Sequence, residues 1–186
     1  MIGLENMLST VLAADHEVSP SRRGLLLAPL LAALPLALSG RPASAGKIDP
    51  SETVITPADA IKWTSWSGLP PHSGEMAPLY GNLDQPGPYL VLMKWNPGYW
   101  SAPHSYATDR LSLVLSGTWW VNSGDDFDPD NTVPVSAGGF VRRVAHTPHY
   151  DGVKTSGTEP AVIALFGLGP VHYVPVDASK PIWRQT

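Results

Sequence analysis

The chain contains no cysteine among its 186 residues. Disulfide bonds and thiolate ligands are therefore excluded, and any metal must be held by histidine, carboxylate or tyrosine side chains. Charged residues are scarce, at 15% of the chain, and the formal net charge is −4. After residue 45 the only adjacent basic pair is Arg142 and Arg143. A basic nucleic-acid footprint is missing, and we expect no nucleic-acid partner.

Sequence signatures of several common activities are also absent. The chain has no G-x-S-x-G elbow, no P-loop, no dinucleotide fingerprint and no H-E-x-x-H motif. It has no internal repeat and no long amphipathic helical pattern. Proline and glycine are plentiful, with 20 and 17 residues. This composition favours many short strands joined by turns over a helical bundle.

The longest apolar run lies near the N-terminus, from residue 24 to residue 40. It is shorter than the ~20 residues that span a bilayer, and two prolines interrupt it, which disfavours the alternative of a membrane anchor. Residues 21–23, Ser-Arg-Arg, precede it, and Ala43-Ser44-Ala45 follows, as in a twin-arginine export signal with its cleavage site. We expect residues 1–45 to be removed, the protein to be periplasmic, and no stable membrane insertion after cleavage.

Alternation of apolar and polar residues predicts strands in the rest of the chain. Residues 61–66 alternate clearly, and residues 89–95 and 161–167 are apolar enough for buried strands. Residues 68–88 are rich in Pro, Gly, Asn and Asp and predict a long loop at the rim of the fold.

The chain is organised around the stretch from Gly98 to Gly117, GYWSAPHSYATDRLSLVLSG. Its two glycines indicate turns, because glycine alone tolerates a positive φ without steric cost. Leucines alternate with Ser and Val over residues 111–116, which predicts a strand with one face in a core. His104 precedes this strand, where its side chain could point into a barrel mouth.

This stretch resembles the first motif of the cupin superfamily, G-x5-H-x-H-x3-4-E-x6-G. The spacing is matched by Gly98, His104, Tyr106, Arg110 and Gly117. Tyr106 replaces the second histidine of the motif, and Arg110 replaces its glutamate.

The second cupin motif, G-x5-P-x-G-x2-H-x3-N, has counterparts at Gly138, Val144, His146 and His149, with His146 where the family has glycine. The resemblance implies an all-β, double-stranded β-helix (jelly-roll) barrel in a single domain.

The predicted organisation has four parts. These are the signal peptide 1–45, an N-terminal lead-in 46–59, the cupin barrel 60–176 and a C-terminal tail 177–186.

The resemblance also implies a metal on His104 and His149, which occupy ligand positions on facing strands. Imidazole ligands suit a divalent transition metal, with iron favoured and manganese, nickel or zinc as alternatives. The third ligand is open between Tyr106, which shares a strand face with His104, and His146.

Arg110 cannot ligate a metal, and a dication would repel it. One interpretation turns its guanidinium toward a substrate carboxylate or pairs it with Asp109 or Asp151. In the other, the metal has been lost and the barrel binds an organic anion. We assign catalytic roles to Arg110, as a steering group, and to Tyr106, as a ligand or acid.

Seven tryptophans are many for this length. We predict a substrate pocket lined by Trp95, Trp100, Trp119 and Tyr150, suited to a flat or aromatic molecule. The alternative is that these side chains fill a wide barrel. Trp119 and Trp120 are adjacent and should face opposite sides of their strand.

The sequence therefore predicts an exported metal-binding cupin that acts on a small organic molecule, anionic or aromatic, most simply by O2-dependent oxidation of the dioxygenase kind. The alternative is a non-catalytic periplasmic cupin that binds or senses a small ligand. Metal-dependent lyase or isomerase activity is the third hypothesis. Cupins often pair through outer strands, so a homodimer is also open.

Overall fold

The computed structural model describes Asp49 and residues 51–186, so the predicted signal peptide and cleavage site lie outside the described residues. Backbone contacts divide the chain into Met1–Val54 and Ile55–Thr186, and the fold below is that of the second unit. Within the described part, no helix has the length and apolar character needed to cross a membrane.

Thirteen strands and one short 3-10 helix are found in the described part of the chain. The helix is Ala58–Ala60, and the strands are β1 Thr64–Ser65, β2 Gly74–Tyr80, β3 Gly87–Trp95, β4 Tyr99–Ser101, β5 His104–Tyr106, β6 Arg110–Ser116, β7 Thr118–Ser123, β8 Val133–Ser136, β9 Phe140–Arg143, β10 His149–Gly152, β11 Ala161–Gly169, β12 Tyr173–Pro175 and β13 Trp183–Gln185.

These strands form two antiparallel sheets. The first has the order β1-β2-β3-β11-β6-β9, and the second has the order β12-β5-β10-β4-β13, with β7 paired to β10 and β8 paired to β7. Strands distant in sequence are neighbours in both sheets, as in a jelly roll. The predicted all-β double-stranded barrel is confirmed.

The core lies between the inner faces of the two sheets. Side chains alternate along each strand, so every second residue of the apolar strands β3 and β11 points inward. The buried core consists of Tyr89, Val91, Met93, Trp95, Val114, Trp119, Val121, Val153, Ala161, Ile163 and Leu165.

Strand β2 runs through the segment predicted as a loop, which corrects that expectation. It pairs with β3 over most of its length, and its register shifts between Pro78 and Tyr80. The shift accommodates a proline that cannot donate a ladder hydrogen bond. The predicted C-terminal tail also contains a strand, since β13 pairs with β4.

Strand β6 turns its serine and valine inward and its leucines outward. Ser112 and Val114 are buried, whereas Leu111, Leu113 and Leu115 are exposed. The outward leucines form an apolar row on the outer face of the first sheet. The homodimer stays a prediction.

Replacement of Gly117 by alanine is expected to destabilise the domain more than the same change at Gly138. Both glycines have a positive φ, 70° and 84°, which costs an alanine about 1–2 kcal/mol. A Cβ at Gly117 would also overlap the carbonyl oxygen of Pro160, whereas a Cβ at Gly138 meets nothing within 4 Å. We expect an additional loss of about 1–3 kcal/mol at Gly117. Urea unfolding measures both, and equal losses would contradict the predicted overlap.

Candidate active site

A cavity of about 270 Å³ lies between the two sheets. Most of its wall is apolar or aromatic, and its polar groups are contributed by only a few strands. The lining side chains are Trp66, Ser67, Leu69, Met76, Leu83, Val91, Met93, Trp95, Ser101, His104, Tyr106, Arg110, Ser112, Trp119, Arg143, His149, Asp151, Leu165, Val171, Tyr173 and Ile182. A small apolar cavity with a few polar groups is the usual form of a small-molecule site.

Strand pairing brings His104 and His149 face to face. They are direct partners in the β5–β10 register, and their ring centroids are 4.5 Å apart. Each is only 3% exposed, and both line the cavity. The two predicted ligand positions are therefore adjacent on paired strands, and their role as metal ligands stays a prediction.

Backbone carbonyls fix the tautomer of both histidines. Nδ1 of His104 lies 2.7 Å from the carbonyl oxygen of Ala102, and Nδ1 of His149 lies 2.9 Å from that of Thr147. Because a carbonyl only accepts hydrogen bonds, Nδ1 carries the proton in each ring. The Nε2 lone pair of each ring is therefore left for a ligand, as in histidines that bind metals.

Both imidazoles are neutral at pH 7. Burial, followed by the neighbouring His149, lowers the pKa of His104 from 6.5 to about 3. Burial, followed by the Arg143 guanidinium, lowers the pKa of His149 to about 4. Neutral imidazoles can coordinate a metal or accept a hydrogen bond from a bound molecule.

Tyr106 and Arg110 lie beside the histidines. The Tyr106 ring centroid is 4.9 Å from that of His104, and the guanidinium carbon of Arg110 is 4.1 Å from the Tyr106 ring centroid. Arg110 Nε donates a hydrogen bond to the hydroxyl of Tyr89 at 3.1 Å. Burial raises the pKa of Tyr106, and the charge of Arg110 opposes that rise. Tyr106 is therefore a protonated phenol at neutral pH when no metal is bound.

Arg110 forms none of the ion pairs found within residues 51–186. The expectation that it pairs with Asp109 or Asp151 is therefore corrected. Asp109 instead pairs with Arg142 at 2.6 Å and accepts the backbone N–H of Ala145. Arg110 lines the cavity, so the interpretation of its guanidinium as a group that steers the substrate stays open.

Asp151 holds a buried polar network that the sequence analysis did not identify as part of the site. Its Oδ1 accepts the indole N–H groups of Trp95 and Trp119, each at 3.1 Å. Its Oδ2 lies 3.4 Å from Nη2 of Arg143. Asp151 could have been predicted as a cavity residue, because it lies two residues after His149 and residues two apart on a strand share a face. The participation of Arg143 in this network could not be predicted from the neighbouring sequence, because it depends on the register between strands.

The four predicted pocket residues divide into two pairs. Trp95 and Trp119 line the cavity, whereas Trp100 and Tyr150 do not. Both of the latter are fully buried on the other side of the second sheet, where each ring packs against Phe127. The reason is alternation, since Tyr150 lies between two inward-facing residues of β10 and must point away from the cavity.

Two further predictions concern single side chains. Trp119 is 1% exposed and faces inward, while Lys154 Nζ lies over the Trp120 ring on the other side, which confirms their opposite orientation.

His146 is exposed and is not among the cavity residues. Its φ of 59° is the left-handed backbone of the glycine it replaces. Of the two candidate third ligands, only Tyr106 lies in the cavity.

The donor set decides whether a cupin-type metal fits. Within the described residues, no group of three or more His, Cys, Asp or Glu side chains is arranged to hold an ion. Two neutral imidazoles with free Nε2 atoms nevertheless fit a divalent transition metal that takes its other ligands from substrate, water or the Tyr106 oxygen. His104 and His149 would hold such a metal, and its site would be more open than a three-ligand protein site.

Comparison with solved structures finds several proteins with a similar fold. An RmlC-like cupin from Ralstonia eutropha aligns with a TM-score of 0.52 and 15% identity, over 70% of this chain and 76% of its own. The polyketide cyclase RemF from Streptomyces resistomycificus aligns at 0.51 and 14% identity, over 73% and 88%. An uncharacterised double-stranded β-helix protein from Klebsiella pneumoniae aligns at 0.51 and 15% identity, over 72% and 100%.

No protein-family model and no curated protein matches the chain. The two-sheet architecture and the structural neighbours together define a double-stranded β-helix protein. The chain thus has the cupin fold, and since cupins support many activities, its function has to be argued from the cavity.

Proposed function

We propose that the protein is a metal-dependent cupin that oxidises a small organic molecule with O2, holding a divalent transition metal, iron first among the candidates, on His104 and His149. The observation that supports this most is the pair of buried neutral imidazoles with Nε2 free on the cavity side. Buried histidines with a structural role alone would be expected to use both ring nitrogens in hydrogen bonds.

When bound, such a metal supplies Lewis acidity and, if it is redox-active, a means of bringing substrate and dioxygen together. The remaining tasks fall to the side chains of the cavity. The aromatic wall, including Trp95 and Trp119, excludes water and packs against a flat substrate. Arg110 attracts an anionic group on that substrate. Tyr106 is positioned to donate its phenolic proton to a substrate oxygen or to add an oxygen ligand.

A non-catalytic ligand-binding or sensory cupin is the second candidate. It is favoured by the small number of side chains that could bind a metal, since no group of three or more occurs among the described residues. It is also favoured by the positive guanidinium of Arg110 close to the histidines. In that case the same cavity binds an organic anion without converting it. Metal content separates the two candidates.

We expect the purified protein, prepared without a polyhistidine tag, to contain about one equivalent of a transition metal after reconstitution with iron, manganese, nickel or zinc. The double variant His104→Ala/His149→Ala should lose it, because no other pair of imidazoles faces the cavity in the described structure. Elemental mass spectrometry measures both. His146→Ala is the matched control, since His146 is exposed, and should keep the full metal content.

Absence of metal from the reconstituted wild-type protein would contradict the enzymatic proposal and support the ligand-binding candidate. Retention of metal by the double variant would place the metal elsewhere. If iron is bound, oxygen uptake by the iron-loaded protein with a panel of hydroxybenzoates tests the oxidation itself.

A further inference from the structure

Two polar side-chain atoms of cavity-lining residues have no hydrogen-bond partner among the described residues. They are Oγ of Ser112 and Nε of Arg143. Ser112 is 1% exposed and Arg143 is 8% exposed, and both residues line the cavity. An unpaired buried donor destabilises the fold, so most buried polar groups are paired. Two such atoms in one cavity indicate a polar group that the cavity receives.

The guanidinium of Arg143 is held in place by its other nitrogens. Nη1 donates to the carbonyl oxygen of Asn122 at 3.0 Å, and Nη2 donates to that of Tyr150 at 3.2 Å. Asp151 supports Nη2 from the other side at 3.4 Å. Nε is the nitrogen left over, and its position is set before any ligand binds. Preorganised donors of this kind bind an acceptor without the cost of ordering a flexible side chain.

Strand pairing brings Arg110 to the same part of the wall. Arg110 is the direct partner of Arg143 in the β6–β9 register, and Ser112 lies two residues further along β6 on the same face. All three belong to the first sheet, whereas the histidine pair belongs to the second. The two arginine side chains nevertheless reach the second sheet, since Arg110 lies over the Tyr106 ring and Arg143 donates to Tyr150 on the strand of His149. The arginines and the histidine pair therefore border the same part of the cavity.

The charges of this region do not balance. Arg110 and Arg143 contribute two positive charges, and Asp151 contributes one negative charge. An uncompensated positive charge in a cavity with a mostly apolar wall is costly and favours an anionic ligand.

We propose that Ser112, Arg143 and Arg110 form a carboxylate subsite on the wall of the first sheet. The substrate class is then a small organic acid whose carboxylate accepts hydrogen bonds from Ser112 Oγ and Arg143 Nε, with Arg110 adding charge. Its apolar body packs against the aromatic wall, and its carboxylate end lies beside His104 and His149. This last assignment rests on the proposed function, whereas binding of the acid at the subsite does not require a metal.

Benzoate and benzamide are suitable probes, because they share a flat ring and differ in charge at one end. Isothermal titration calorimetry of the metal-free protein should show benzoate binding at least about tenfold more tightly than benzamide, since a hydrogen bond to a charged group contributes more than one to a neutral group. Ser112→Ala should weaken benzoate binding about tenfold and weaken benzamide binding less.

The same substitution should raise the melting temperature of the ligand-free protein by about 2–4 °C, because it removes an unpaired buried hydroxyl. A serine needed only for packing or structure would give a lower melting temperature and unchanged discrimination. Ser116→Ala is the matched control on the same strand, where the side chain is exposed, and should change neither quantity.

Equal affinity of the wild-type protein for benzoate and benzamide would overturn the subsite. So would a Ser112→Ala variant that keeps the wild-type preference. These outcomes differ from failure of the proposed function, which is judged by metal content. A protein that prefers benzoate but binds no metal keeps the subsite and loses the metal-dependent reaction, whereas one that binds metal without this preference keeps the metal site alone.

Discussion

Replacement of Asp151 by alanine is expected to reduce the free energy of unfolding by about 3–5 kcal/mol, the usual cost of removing one partner from a buried ion pair. Three donors lose their acceptor together, since Trp95, Trp119 and Arg143 all bind this carboxylate. Asp151 is 6% exposed and Arg143 is 8% exposed, so water cannot readily replace the lost group. Such a loss is a large part of the stability of an ordinary domain.

Urea unfolding of three variants tests this expectation. Asp151→Asn keeps an oxygen for the two indole N–H groups but removes the charge, so its loss should lie between those of the wild type and Asp151→Ala. Glu75→Ala is the control, because the Glu75–Lys94 pair is partly solvent-exposed and such pairs contribute about 1 kcal/mol or less. If Asp151→Ala loses as little unfolding free energy as Glu75→Ala, the Asp151 carboxylate contributes little to the stability of the domain.

The fold could be predicted because its signals are local. Period-2 alternation and the spacing of the two motifs are properties of short segments, and the jelly-roll barrel they imply agrees with the two-sheet structure. Strand β2 was missed because Pro78 and the flanking glycines resemble a loop. Strand β2 forms because it pairs with β3, whose apolar pattern is clear in the sequence.

The candidate site was predictable only where alternation along one strand decides the outcome. The inward direction of His104 and Tyr106 follows from the first motif, and the same alternation excludes Tyr150 once His149 faces the cavity. The direct opposition of Arg110 and Arg143 could not be predicted, because it depends on the register of β6 with β9. Ser112 is a further case, since it faces inward while the leucines beside it face outward. A local violation of the apolar pattern is often a sign of function.

Acidification is expected to destabilise the metal-free protein by a few kcal/mol between about pH 6.5 and pH 4, because both cavity histidines are buried in the neutral form. The pKa of His104 is lowered to about 3 and that of His149 to about 4, in each case mainly by burial. In this pH range the unfolded chain takes up protons on both imidazoles, whereas the folded chain does not. Stability is therefore complete above about pH 6.5 and is lost as the pH falls toward these values.

The double variant His104→Gln/His149→Gln separates this effect from the protonation of carboxylates. Glutamine does not titrate, so the urea midpoint of the double variant should fall less between pH 7 and pH 4.5 than that of the chelator-treated wild type. His146→Gln is the matched control, because it makes the same substitution at an exposed position outside the cavity. If the double variant shows the full acid loss, groups other than these two histidines control the pH dependence. The histidines would then be more hydrated than their burial indicates, and water would compete with any ligand for their Nε2 atoms.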